Sequence, residues 1–403
     1  VGSKTRTGNL SNEGYALVKI RKALRLEKLP PYIFAEIGKK KLALKAKGIK
    51  LIDLGMGTPD LPTPSHIIDS LRETAGITEN HQYAPYNGID AFRMAAAEWM
   101  ERRFGVSLDP QREIMNLIGT KEGIANFTWA FVNPGDFCLI PDPGYPAYIN
   151  VITLAGGTPV SYPLNEDNRF RPKWNDIPDQ SWRTCKVIYI NYPNNPTSAT
   201  VELDCYRELV ERARHYGFLI LSDNAYSESA YRSPAPSILQ IPEAKEVAVE
   251  TFSCSKTYNM TGWRIGFMAG NAEIIGSILQ MKSSVDTGVF KPIQHAAITA
   301  LLGPDQEMIN PSKEVFGYRR QLMIDGLKRL GYHVFDGEAT FYLWIRVPKS
   351  GDSMSFCLDL LERGVVTTPG IGFGRNGEGW FRMALTVPEE DLRRTLELMP
   401  PGR

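Results

Sequence analysis

Val247-Ala248-Val249-Glu250-Thr251-Phe252, running into Ser253-Cys254-Ser255-Lys256-Thr257-Tyr258-Asn259-Met260-Thr261-Gly262-Trp263-Arg264, decides how the rest of this chain is read. The first six residues have the pattern of a buried strand. That strand runs out into Ser-x-Ser-Lys, and Arg264 lies eight residues beyond Lys256. A lysine that ends an apolar strand beside a second cation is ill suited to a solvated surface. Desolvation and a neighbouring positive charge both favour the neutral amine. A neutral amine is a nucleophile able to form a Schiff base with an aldehyde. Taken alone, the segment leaves two readings open, a reactive amine or an ordinary polar strand end.

Working outward from it, short apolar strands alternate with longer helical patterns from Lys50 onward, the signature of an α/β fold with a mainly parallel sheet. The strands expected are Ile114–Ile118, Phe137–Ile140, Val187–Ile190, Phe218–Leu221, Val247–Phe252 and Ile265–Ala269. Helices are expected over Asp90–Phe104, Gly123–Val132, Tyr145–Ala155 and Leu203–Tyr216. Near Pro311 the pattern changes to a long helix, Lys313–Leu330, before strands around Tyr332–Phe335 and Thr340–Ile345. This suggests a large domain over 51–310 and a small C-terminal domain over 311–403. Residues 1–50, with a lysine-rich helix over Ala35–Lys47, would form an N-terminal arm and part of the small domain. Val1 to Thr7 are set aside from the fold reading.

Bulk properties narrow the function classes. Formal net charge is +1, so no global field points to nucleic acid or an anionic membrane. The five cysteines are scattered without a C-x-x-C pair, and the five histidines show no ligand spacing. Neither a disulfide framework nor a metal site is expected, and a cytoplasmic setting is. No apolar run reaches membrane-spanning length.

Polar residues gather after the carboxyl ends of four expected strands, where open α/β sheets bind ligands. Gly119-Thr120-Lys121 follows Ile118, and Asn191-Tyr192-Pro193-Asn194-Asn195-Pro196-Thr197 follows Ile190. Ser222-Asp223-Asn224-Ala225-Tyr226 follows Leu221, and the Lys256 segment follows Phe252. A single cleft is the economical reading.

Asn195-Pro196-Thr197, Asp223-x-x-Tyr226, Ser253-x-Ser255-Lys256 with Arg264, and the late Arg382 occur in the order and spacing of a known family. From Leu29 to its end the chain resembles the fold-type I pyridoxal-phosphate enzymes, specifically the class I/II aminotransferases. The resemblance implies a large domain with a mostly parallel seven-stranded sheet between helices, plus a small α+β domain. It implies that Lys256 holds the aldehyde of pyridoxal 5'-phosphate and then moves the substrate's Cα proton. Asp223 would keep the cofactor's ring nitrogen protonated, and Tyr226 and Asn195 would donate to its ring oxygen. Gly119, Thr120 and the backbone N–H of Lys121 would cradle the phosphate at a helix start, with Ser253 and Arg264 completing the cradle. The side chain of Lys121 is expected to point to solvent. Tyr145, in Asp142-Pro143-Gly144-Tyr145-Pro146, would stack on the ring. Tyr83 would reach the phosphate bound by a neighbouring subunit, making the active unit a homodimer. Arg382, Gly57 and Asn195 would take the substrate α-carboxylate. One departure is Ser198, where the family more often has Gly; a serine there is tolerated unless a positive φ is needed.

The expected activity is therefore amino-group transfer between an amino acid and a 2-oxo acid by a ping-pong sequence. Three segments, Leu29–Ile37, Thr257–Arg264 and Thr340–Trp344, are similar to LL-diaminopimelate aminotransferases and related alanine aminotransferases. A nicotinamide-dependent dehydrogenase is a remote alternative, resting on Gly370-Ile371-Gly372-Phe373-Gly374, which lacks a following amphipathic helix.

Overall fold

The computed structural model describes residues 20–29, 34–304, 309–348 and 351–402. Val1 to Thr7 and positions 30–33 of the Leu29–Ile37 segment lie outside the described residues. The chain enters by a two-residue strand, β1 (Ile52–Asp53). The large sheet follows: β2 (Ile114–Leu117), β3 (Phe137–Asp142), β4 (Thr158–Pro163), β5 (Cys185–Ile190), β6 (Leu219–Asp223), β7 (Ala248–Ser253) and β8 (Gly266–Gly270). Its seven strands lie in the order β2-β8-β7-β6-β5-β3-β4. Every pairing from β4 to β7 is parallel, while β8 is antiparallel to both of its neighbours.

Both faces of this sheet are covered, which explains the unbroken apolar runs. Strand pleating sends Ile188, Ile190, Ile220 and Ala248 into one core cluster. It sends Val187, Tyr189, Leu221 and Val249 into a second, on the other face. Helices Asp90–Phe104 and Leu203–Tyr216 each end at a glycine of positive φ, Gly105 and Gly217, and match their expected spans. The helix expected from Gly123 starts earlier, at Thr120, and the one expected from Tyr145 starts later, at Ala147.

The second unit is an antiparallel sheet of β9 (Val334–Phe335), β10 (Tyr342–Arg346), β12 (Thr368–Pro369) and β13 (Trp380–Ala384), in the order β12-β13-β10-β9. Between them, β11 (Val365–Val366) pairs in parallel with β1. Ile52 and Asp53, just beyond the expected break at residue 50, are thus hydrogen-bonded to the C-terminal part of the chain. Helix Asn310–Arg329 packs on this unit, whose core includes Phe316, Leu327, Phe381 and Leu392. Ala225 and Tyr226, just past β6, join that same core and seat the small unit on the edge of the large sheet.

The glycine cluster Gly370–Gly374 forms a short helical turn between β12 and β13, not a strand-to-helix crossover. The dinucleotide context is absent.

Candidate active site

Strand direction explains why residues distant in sequence meet. The carboxyl ends of β2, β3, β5, β6 and β7 all face one edge of the sheet. β8 runs the other way, so its amino-terminal end, led by Arg264, faces that edge too. There a cavity of about 690 Å³ opens between the two units. Its walls carry Gly57, Thr120, Lys121, Tyr145, Asn195, Asp223, Tyr226, Ser253, Lys256, Arg264 and Arg382.

Lys256 lies in the short helical turn Cys254–Thr257 that follows β7. Its Nζ donates to the Gly57 carbonyl at 2.5 Å. Burial, and then the charges of Arg382 and Arg264, bring its pKa down to about 8. The amine is thus a usable base and nucleophile near neutral pH.

Asp223 ends β6 with its carboxylate fully buried. Tyr148 donates to Oδ2 at 2.8 Å, and Thr251 to Oδ1 at 3.2 Å. Burial raises its pKa against these hydrogen bonds, so a cation placed beside it would be strongly favoured.

Gly119 lines no part of the cavity but makes room for what does. It has a φ of 73°, and a Cβ there would fall 2.2 Å from Arg264 Nη2. The helix Thr120–Phe131 therefore begins against a guanidinium, with Ser253 in the same wall. A helix start, a hydroxyl and an arginine make a site for a dianion. The side chain of Lys121 also stands in the wall, with Nζ 5.7 Å from the Tyr145 ring centroid. The residue is nonetheless exposed to solvent, as expected, and the Tyr145 face offers its cation a partner.

The small unit contributes Arg382, in the middle of β13. Its Nη1 donates to Asn195 Oδ1 at 2.6 Å and its Nη2 to the Gly55 carbonyl at 2.8 Å. Nε is buried without a partner among the described residues. The guanidinium lies over the rings of Tyr342 and Phe373, at 4.1 and 4.8 Å. A planar fork with N–H groups still unused suits a carboxylate.

Tyr83 stands apart from this group, 85% exposed on the surface. Ser198 does take the positive φ that would favour glycine, 65°. The strain is offset by hydrogen bonds: its Oγ donates to the Tyr342 carbonyl, and its own carbonyl accepts from Glu338 and Ala339 N–H. Three participants were not singled out from sequence. Asn191 holds the Asp223 carbonyl and the Asn195 N–H, Tyr148 braces Asp223, and Tyr342 joins Tyr226. Tyr148 follows Tyr145 by three residues on a helical pattern, the spacing that could have drawn attention to it.

Comparison with known proteins places the chain in a family. The family model for aminotransferase class I and II matches residues 49–398. LL-diaminopimelate aminotransferase 2 of Nostoc sp. is 48% identical over 94% of this chain and 97% of its own length. The LL-diaminopimelate aminotransferase of Aquifex aeolicus is 48% identical over 93% of this chain and 97% of its own. Among solved structures, substrate-bound BacF from Bacillus subtilis superposes with a TM-score of 0.92 at 32% identity. That match covers 96% of this chain and all of the BacF chain. With a buried amine, a buried carboxylate and an arginine fork around one cleft, this chain belongs to the class I and II aminotransferases.

Proposed function

We propose that this aminotransferase works with pyridoxal 5'-phosphate and moves an amino group from LL-diaminopimelate to 2-oxoglutarate. The supporting observation for the donor is near-full-length identity of 48% to proteins named for that activity. For the cofactor, support comes from three features of the cavity. Asp223 is a buried carboxylate with no cationic partner among its hydrogen bonds, and would face the protonated ring nitrogen. Arg264, Ser253 and the N–H groups of Thr120 and Lys121 offer matched donors for the phosphate. Lys256 supplies the amine that attaches the aldehyde. Tyr145 would stack on the ring, while Tyr226 and Asn195 would donate to its oxygen.

When bound, the cofactor supplies the aldehyde that takes the amino group and the ring that accepts the electron pair left at Cα. The chain's own residues do the rest. Arg382 grips the α-carboxylate with its fork, and Gly57 and Asn195 complete that grip. This orients the Cα–H bond relative to Lys256 Nζ, which takes the proton as a general base. The small unit carries the carboxylate grip and the large unit the amine, so binding draws the two walls together and excludes water. A homodimer is the proposed working unit, with Tyr83 serving the phosphate site of a second copy.

A panel of amino donors against 2-oxoglutarate tests the donor. LL-diaminopimelate should give the highest kcat/KM. Preference for alanine, with LL-diaminopimelate inert, would move this chain to the alanine aminotransferases of the same subfamily.

A further inference from the structure

Tyr342 has no part in the mechanism so far, yet it joins both walls of the cavity. Its Oη lies 2.8 Å from Tyr226 Oη, and its ring lies under the Arg382 guanidinium. The backbone beneath it is pinned from three sides. The Tyr342 carbonyl accepts from Ser198 Oγ at 2.9 Å and from Arg320 Nη1 at 3.1 Å, and its N–H donates to Thr340 Oγ1 at 3.1 Å. The ring meets Tyr226 edge-on, with centroids 5.7 Å apart at 71°. Its hydroxyl fills the space a side chain at Gly57 would need, since a Cβ there would fall 1.9 Å from Oη. Position and tilt of this hydroxyl are therefore fixed by packing.

Proton counting then sets the direction of the hydrogen bond. A tyrosine hydroxyl has one proton to give and lone pairs to accept with. If Tyr226 gives its proton to the cofactor's ring oxygen, it has none left for Tyr342. The 2.8 Å contact is then a hydrogen bond only if Tyr342 donates. We propose that Tyr342 is a positioning residue, donating to Tyr226 and so turning the Tyr226 proton toward the cofactor's ring oxygen. A hydroxyl that accepts one hydrogen bond becomes a stronger donor in the next. The same ring supports Arg382, so the carboxylate grip and the donor to the cofactor share one side chain. This inference rests on the cofactor reading above.

The test is a pH titration of the visible absorbance band of the holoenzyme, comparing wild type with Tyr342→Phe. Phenylalanine keeps the ring under Arg382 and removes only Oη. Weaker donation from Tyr226 stabilises the deprotonated form of the bound cofactor less, so the midpoint should rise by about half a pH unit. Gly57→Ala should shift it the same way with Tyr342 intact, by displacing Oη. The double variant should move little beyond either single one, because both act through the same oxygen. A wild type that titrates beside a Tyr342→Phe midpoint that does not move would overturn this inference alone. A wild type with no visible band would overturn the cofactor reading and this inference together. Should Tyr342→Phe fail to fold, an unmoved midpoint in Gly57→Ala would count against the proposal in the same way.

Discussion

The two walls of the cavity are built on different plans. On the large unit, Thr120, Asp223, Ser253 and Lys256 all lie at or just beyond the carboxyl ends of strands in one sheet. Each is held by backbone geometry that exists without any ligand. On the small unit, Arg382 projects from mid-strand in β13, and its fork is already engaged by Asn195 and Gly55. The first wall is preorganised for a group that stays. The second must exchange internal hydrogen bonds for those of a substrate that comes and goes. Damage to the first wall should therefore appear in cofactor retention and kcat, and damage to the second mainly in KM.

The largest effect expected is that of Lys256→Ala. Loss of the amine that both attaches the cofactor and moves the proton should lower kcat by about 10⁴-fold or more, measured by steady-state turnover. A turnover near wild type would remove the large wall from the chemistry. Arg382→Ala should lower kcat/KM by about 10²-fold, most of it through KM. An equal fall in kcat with KM unchanged would break the contrast between the walls. Tyr148→Phe leaves the ring in place and removes one hydrogen bond to Asp223. It should weaken cofactor affinity by about tenfold at most, read by fluorescence titration of the apoenzyme, with KM for the amino donor unchanged.

The smallest functional effect belongs to Glu250, which lies across from Ser222 on β7 and beneath the site. Its carboxylate accepts from Ser222 Oγ at 2.8 Å and from Asn224 Nδ2 at 3.2 Å, and pairs with Ser237. Burial, outweighing these hydrogen bonds, pushes its pKa up from 4.5 to about 7. The folded state thus holds a proton that the unfolded state releases between these values. Glu250's stability contribution is complete below pH 4.5 and lost as pH rises through 7, about 3 kcal/mol in all. Glu250→Gln should flatten denaturation free energy against pH across that window and leave donor preference untouched. An unchanged slope would show that Glu250 titrates elsewhere.

The same contrast separates what could be read in the sequence from what could not. Lys256, Asp223, Asn195 and Thr120 each come within five residues of the end of an apolar run, so the strand pattern and the polar residue are read together. Tyr342 and Arg382 sit inside runs of aromatic and aliphatic residues, and only the family resemblance marked Arg382. Nothing local marks Tyr342, whose meaning depends on Tyr226 and Gly57 arriving from distant parts of the chain. Tyr148 and Asn191 each meet Asp223 only through sheet order, although the spacing from Tyr145 is a local signal for Tyr148. Among the strands, β4 was missed because Thr158-Pro159-Val160-Ser161-Tyr162-Pro163 has two prolines and a half-polar pattern. Such a sequence is tolerated at a sheet edge, which is where β4 lies. Ser198 shows the limit of residue typing, since its positive φ is supported by contacts from Tyr342, Glu338 and Ala339 rather than by its own identity.

The central claim is that Lys256 is the amine that carries the cofactor. Borohydride reduction of the purified protein with bound pyridoxal 5'-phosphate, followed by peptide mass spectrometry, addresses it directly. The result expected is a reduced cofactor adduct on the peptide containing Lys256 and on no other lysine. An adduct on a different lysine, or none in a protein that still transfers amino groups, would contradict the account.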